Sequence, residues 1–178
     1  MWYNTSAIEI GGGAFMVTGS QQSQQNQRKV QGWLMDEGWQ VGEHHEDTLL
    51  WALTAGDQGG RKITVGQPRD RADMIIIQAG VHTDDGIRRK IAGMGKQERN
   101  QFYFDLQYAL LQMGVEYAGI GDPFERLVAL QRIYSEALNR DVFIQRAILV
   151  RNAQVMIFLK IAALMNEGVE MTQSPVWV

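Results

Sequence analysis

An α+β fold, with helices packed against an antiparallel-rich sheet, is what the patterning of this chain predicts. Two observations carry that expectation. Strand-like runs follow one another between residues 39 and 82, two of them joined by the short glycine-rich link 56–60, and such a link joins antiparallel neighbours. Helical spacing of apolar residues then returns at 96–113 and again at 141–166. The resulting order is α-β-β-β-β-α-α-β-β-α, in which strands stay grouped and helices cover them.

Residues 1–27 open with Ile8-Glu9-Ile10, three glycines and Ala14-Phe15-Met16-Val17, then turn glutamine-rich over 20–27. The glycine trio leaves strand register unspecified, so this stretch reads as a tail or a small hairpin outside the core. A single domain is expected over 28–166, with a second tail at 167–178. Its first helix carries Val30, Trp33 and Leu34 at helical spacing, and Gly38 stands where a C-terminal cap is wanted. Three strand-like runs follow at 39–44, 49–55 and 61–67. The third alternates Ile63 and Val65 with Lys62 and Thr64, so its second face is expected to meet water. Pro68 and the charged stretch 69–73 interrupt. Met74-Ile75-Ile76-Ile77 and Ala79-Gly80-Val81 then form the most β-branched run of the chain, read as the central strand with Ile76 in the core.

Asp84-Asp85 opens a helix that runs through Arg88, Arg89, Lys90 and Ile91, acids at its positive end and bases further on. Gly93 and Gly95 separate it from a helix whose apolar face is Phe102, Leu106, Ala109, Leu110 and Met113. Gly114 ends that helix. Val115, Tyr117 and Ile120 read as a short strand that stops at the turn Gly121-Asp122-Pro123. In the strand beyond, Leu127, Ala129, Gln131 and Ile133 line one face while Val128, Leu130 and Tyr134 line the other, which places it inside a sheet or beneath a partner. The last helix, from Asp141 to about residue 166, is apolar nearly all round from Val155 onward. A helix of that kind is buried on more than one side. Val155, Phe158, Leu159, Ala162 and Met165 are therefore the candidate interface, and a homodimer is expected, with the 126–134 strand as a further candidate surface.

Composition narrows the function classes. Hydrophobic residues make up 45% and charged residues 21% of 178, too apolar for a disordered chain. A net charge of −3 supplies no drive toward phosphate backbones or anionic membranes, so neither nucleic acid nor membrane is an expected partner. There is no cysteine, which excludes disulfides, thiolate nucleophiles and cysteine-bound metal. No lysine or arginine precedes Arg28, so no export signal is read, and the longest apolar run, 155–165, falls short of the roughly 20 residues a spanning helix needs. A cytoplasmic protein is the expectation.

Few residues carry chemistry. Glu43-His44-His45-Glu46-Asp47 is the densest set of metal-ligand types, but adjacent strand residues face opposite ways, and an acidic surface loop is the simpler account. His82 beside Asp84 and Asp85 has the look of a general-base site, against which stands an ordinary acidic helix start. An enzyme using His44, His45 or His82 is thus the alternative to a binding module. Arg88, Arg89, Lys90, Lys96 and Arg99 form a basic patch, the basis of a second alternative in phosphate or nucleic-acid binding. The glycines at 11–13 lack the lysine of a P-loop. No cofactor is implied, and the five tryptophans suit packing positions.

The segments GWLMDEGW, KITVGQPRDRADMIIIQAGV and MGVEYAGIGDPFERLVALQRIY, with the apolar last helix, resemble an archaeal family of uncharacterised small domains whose fold is like that of type III secretion chaperones. The resemblance covers roughly 28–165. It implies the same α+β order, a dimer and a chaperone-like or adaptor role in binding a protein segment, and it assigns no residue a function.

Overall fold

The computed structural model describes residues 19–166. The possible hairpin at 8–17 and the tail at 167–178 lie outside the described residues. The elements are α1 (Gly19–Asp36), β1 (Gln40–His44), β2 (Leu49–Gly56), β3 (Lys62–Pro68), β4 (Met74–His82), α2 (Asp85–Gly93), α3 (Lys96–Gln112), β5 (Glu116–Ala118), β6 (Arg126–Tyr134) and α4 (Arg140–Asn166), with a 3-10 turn at Ser135–Ala137 before α4. This is the predicted order. All five strand pairings are antiparallel, in the spatial order β1-β2-β3-β4-β6-β5.

Every described helix packs on one face of that sheet. Val30 and Leu34 of α1 join Leu53, Ala55, Ile63, Ile75 and Phe143 in one cluster; Ile91, Leu106, Leu110 and Ile157 of α2, α3 and α4 join Val81, Leu127 and Ala129 in another. The strands alternate, so the opposite face carries Thr64, Ile76, Gln78, Val128 and Leu130, half-buried, and Lys62, Arg132 and Tyr134, exposed. Ile76 is thereby corrected from core to outer face. Its neighbours Ile75 and Ile77 point inward and are fully buried.

The first helix starts at Gly19, ahead of the expected start at residue 28, and its added turns are held to the sheet. The Ser23 hydroxyl donates to Gln67 Oε1 at 2.6 Å, the Trp51 indole donates to the same oxygen at 2.8 Å, and Ser23, Asn26 and Gln67 are buried. Glutamines and a serine look like tail composition. In space, Ser23 and Asn26 form with Gln67 a polar seam between α1 and the sheet, while the glutamines of α1 face outward, and the seam offsets the cost of burying Gln67.

The turns fall where glycine permits them. Gly38 (φ 77°) follows α1 and Gly114 (φ 69°) follows α3, both in the left-handed region that closes a helix. Between β5 and β6, Asp122–Pro123 is a cis peptide. Tyr103 stacks on Phe124 at 5.6 Å and donates its hydroxyl to Asp122 Oδ1 at 2.7 Å, which fastens that turn to α3.

Candidate interaction site on the last helix

α4 is 27 residues long. Its inner face is Phe143, Ala147, Val150, Ala153, Gln154, Ile157, Ile161 and Leu164, all buried, a repeat of three and four that one side of a helix generates. The chain supplies apolar residues on the outer side as well. Phe158 is 48% exposed, Leu159 65% and Met165 46%; Ala162 is exposed and Val155 half-buried. These are the five interface residues expected from the sequence, and they share the outward arc of the helix. Ile157, Ile161 and Leu164, which contribute to the all-round apolar look, belong to the core. α1 packs against the amino-terminal part of α4 and leaves this arc uncovered. Lys160 is exposed beside a groove between α3 and α4 that also contains Glu98, Asp105 and Leu164.

The sequence reading missed a second stripe. Phe104, Tyr108 and Leu111 of α3 are exposed, and the Phe104 and Tyr108 rings lie nearly parallel with centroids 6.0 Å apart. Their i, i+4, i+7 spacing was legible, but the stronger inward stripe of the same helix masked it. The further candidate, β6, lies between β4 and β5 and so has no free edge along its paired length to offer a partner.

α4 is the one described helix long and apolar enough to cross a membrane, a test that the 155–165 run alone did not meet. The apolar stretch extends back through Phe143 and Val150. Those two residues are buried against the sheet.

The structure does not assemble the polar candidates into a reaction centre. His44 lies 3.9 Å from Glu46 and His45 lies 3.3 Å from Asp47, so each imidazole faces its own carboxylate. Among the described residues no group of three or more histidines, aspartates and glutamates converges as a metal would need. Asp84 near His82 accepts from the Ile87 amide at 2.8 Å and caps α2, the acidic helix start. Arg88 pairs with Asp85 and donates to the Thr83 carbonyl at 3.0 Å. Arg99 lies 3.5 Å from Asp122. That carboxylate also holds the Tyr103 phenol, whose pKa is pushed up by burial and then by Asp122, so Tyr103 stays a donor at ordinary pH. Two of the five basic residues are therefore already engaged with acids.

A family described as "Uncharacterized conserved protein (DUF2299)" matches residues 26–161. The chain belongs to that family. The match runs from within α1 to within α4 and so takes in the whole sheet. No curated protein matches the chain. Among solved structures, an uncharacterized protein from Methanothermobacter thermautotrophicus is similar at a TM-score of 0.70 and 19% identity, over 78% of this chain and 97% of that one. YbjN from E. coli gives a TM-score of 0.39 at 12% identity, over 73% of this chain and 92% of that one. The first likeness shows a shared fold.

Proposed function

We propose that the protein is a non-enzymatic, cytoplasmic adaptor or chaperone-like module that forms a homodimer through α4 and binds a segment of another protein. The observation that supports this reading is the exposed stripe Val155, Phe158, Leu159, Ala162 and Met165 on a helix whose opposite side is the core. Contiguous apolar surface of this kind marks interaction sites, and a two-fold pair is the commonest way to close one. The resemblance to domains of type III secretion chaperone-like fold points the same way.

Light scattering over a concentration series tests it, comparing the wild type with Leu159→Glu. The wild type should reach twice the chain mass. Leu159→Glu should remain folded and monomeric, because a substitution at so exposed a position changes stability by only about 0.5 kcal/mol or less. A wild type that stays monomeric at high micromolar concentration overturns the dimer.

A further inference from the structure

We propose that the outer face of the sheet, opposite the helices, carries a pocket that takes one arginine or lysine side chain from a segment of a partner protein. The cavity measures about 210 Å³. Pockets for drug-sized ligands and cofactors occupy roughly 300–1,000 Å³, so this one suits a single side chain. Its sheet-side lining is Thr64 and Gly66 of β3 with Ile76 and Gln78 of β4. These form the two outward-facing pairs of the three-residue β3–β4 ladder, Thr64 opposite Gln78 and Gly66 opposite Ile76.

A break in the pairing builds the wall. β2 pairs Leu49 with Pro68 and Trp51 with Gln67, so one extra residue intervenes. Without that bulge Leu49 and Trp51 would face the same way. With it, Trp51 stays inward on Gln67 while Leu49 swings to the outer face, the kind of re-aiming that bulges produce. Gly66 makes room for it: a Cβ there would lie 2.6 Å from Leu49 Cδ1 and 3.0 Å from the Trp51 carbonyl oxygen. Leu49, Pro68 and Ile76 thus give the cavity apolar surface for an aliphatic stem.

The charge of the lining selects the head group. Glu46, from the loop before β2, and Asp70, from the β3–β4 connection, both line the pocket, and no basic residue does. Glu46 accepts from the Thr48 hydroxyl at 2.8 Å and lies 3.9 Å from His44; the nearby Arg69 is spent on the Asp47 carbonyl at 2.7 Å. A slot lined by apolar side chains and by the two exposed carboxylates Glu46 and Asp70 matches a side chain whose methylene stem is buried and whose cation reaches the rim. This site lies on the face away from α4, so it stands or falls independently of the dimer.

The test is an NMR titration of the full chain, and of Leu159→Glu in parallel, with Nα-acetyl-arginine amide. The Ile76 methyl and Gly66 amide signals report binding. Nα-acetyl-citrulline amide, the neutral isostere, is the control. Saturating shifts are expected in the millimolar range, weaker by about tenfold with citrulline and equally weakened in Glu46→Gln/Asp70→Asn, whose exposed changes leave the fold intact. A short peptide with one arginine between apolar residues should bind about tenfold more tightly than the amide. No saturation by about 100 mM, equal shifts with citrulline, or shifts that persist in the double variant overturns the pocket. A peptide no tighter than the amide overturns the protein-segment assignment.

Discussion

Gln154 shows how one residue can be misjudged from its neighbours. It sits on an apolar helix and is buried, and its amide donates to the Gly80 carbonyl at 3.1 Å and the Lys62 carbonyl at 3.4 Å. The β3–β4 ladder spans only residues 64–66 and 76–78, so these two carbonyls lie past its end. The side chain spans the gap between the strands. Gln154→Leu should therefore cost about 1 kcal/mol in urea denaturation, since it leaves two part-buried acceptors without this donor. Gly119 is constrained differently: its φ is +82°, and a Cβ would fall 1.9 Å from the Arg126 carbonyl oxygen. Gly119→Ala should cost about 3 kcal/mol or more, and a near-neutral result would show that the β5–β6 turn can shift freely. Asp57 gives a pH dependence. Burial pushes its pKa up, but the Arg61 amide and guanidinium outweigh that and hold it below the ordinary aspartate value. A lowered folded pKa stabilises the fold above the unfolded value and is lost as pH falls through the folded one. Wild type and Asp57→Asn should thus differ in stability at pH 7, and the difference should shrink as the pH falls through the acid range below the ordinary aspartate value.

At the scale of elements, α1 and α4 each divide into parts with different duties. The amino-terminal turns of α1 hold Ser23 and Asn26 in the seam with the sheet, and the later turns supply Val30 and Leu34 to the core. Deleting residues 1–27 should therefore lower the melting temperature by about 5–10 °C relative to deleting 1–18, given about 2–4 °C per kcal/mol for a chain of this size. Equal melting temperatures would mean that the seam contributes nothing. On α4, Ile157 and Leu159 are two residues apart yet differ fully: Ile157 is buried, and Leu159 points to solvent. Ile157→Ala should cost about 2–5 kcal/mol, as truncation of a core aliphatic does.

The described residues form two layers, with one sheet face covered by their helices and the other not, and self-association would make the stability depend on concentration. If α4 pairs with a second copy, the apparent melting temperature of the wild type should rise with protein concentration, while that of Leu159→Glu should not. A flat response in both would count against the dimer. Much of the architecture was legible in the chain. Gly38 and Gly114, the runs at 49–55 and 74–81, and the apolar repeats of α3 and α4 are local patterns, and local patterns depend on backbone sterics and side-chain spacing that neighbours along the chain supply. That Val155, Phe158, Leu159, Ala162 and Met165 fall on one arc of α4 was legible for the same reason. What escaped depends on contacts between residues far apart in sequence. Ser23 is explained only by Gln67, Gln154 only by Lys62 and Gly80, and Leu49 faces outward only because β2 and β3 pair with a bulge. Sequence by itself determined the order of helices and strands, though not that α1 begins at Gly19. Tertiary structure alone decided which side of each apolar strand or helix is core, because that choice follows from what packs across from it.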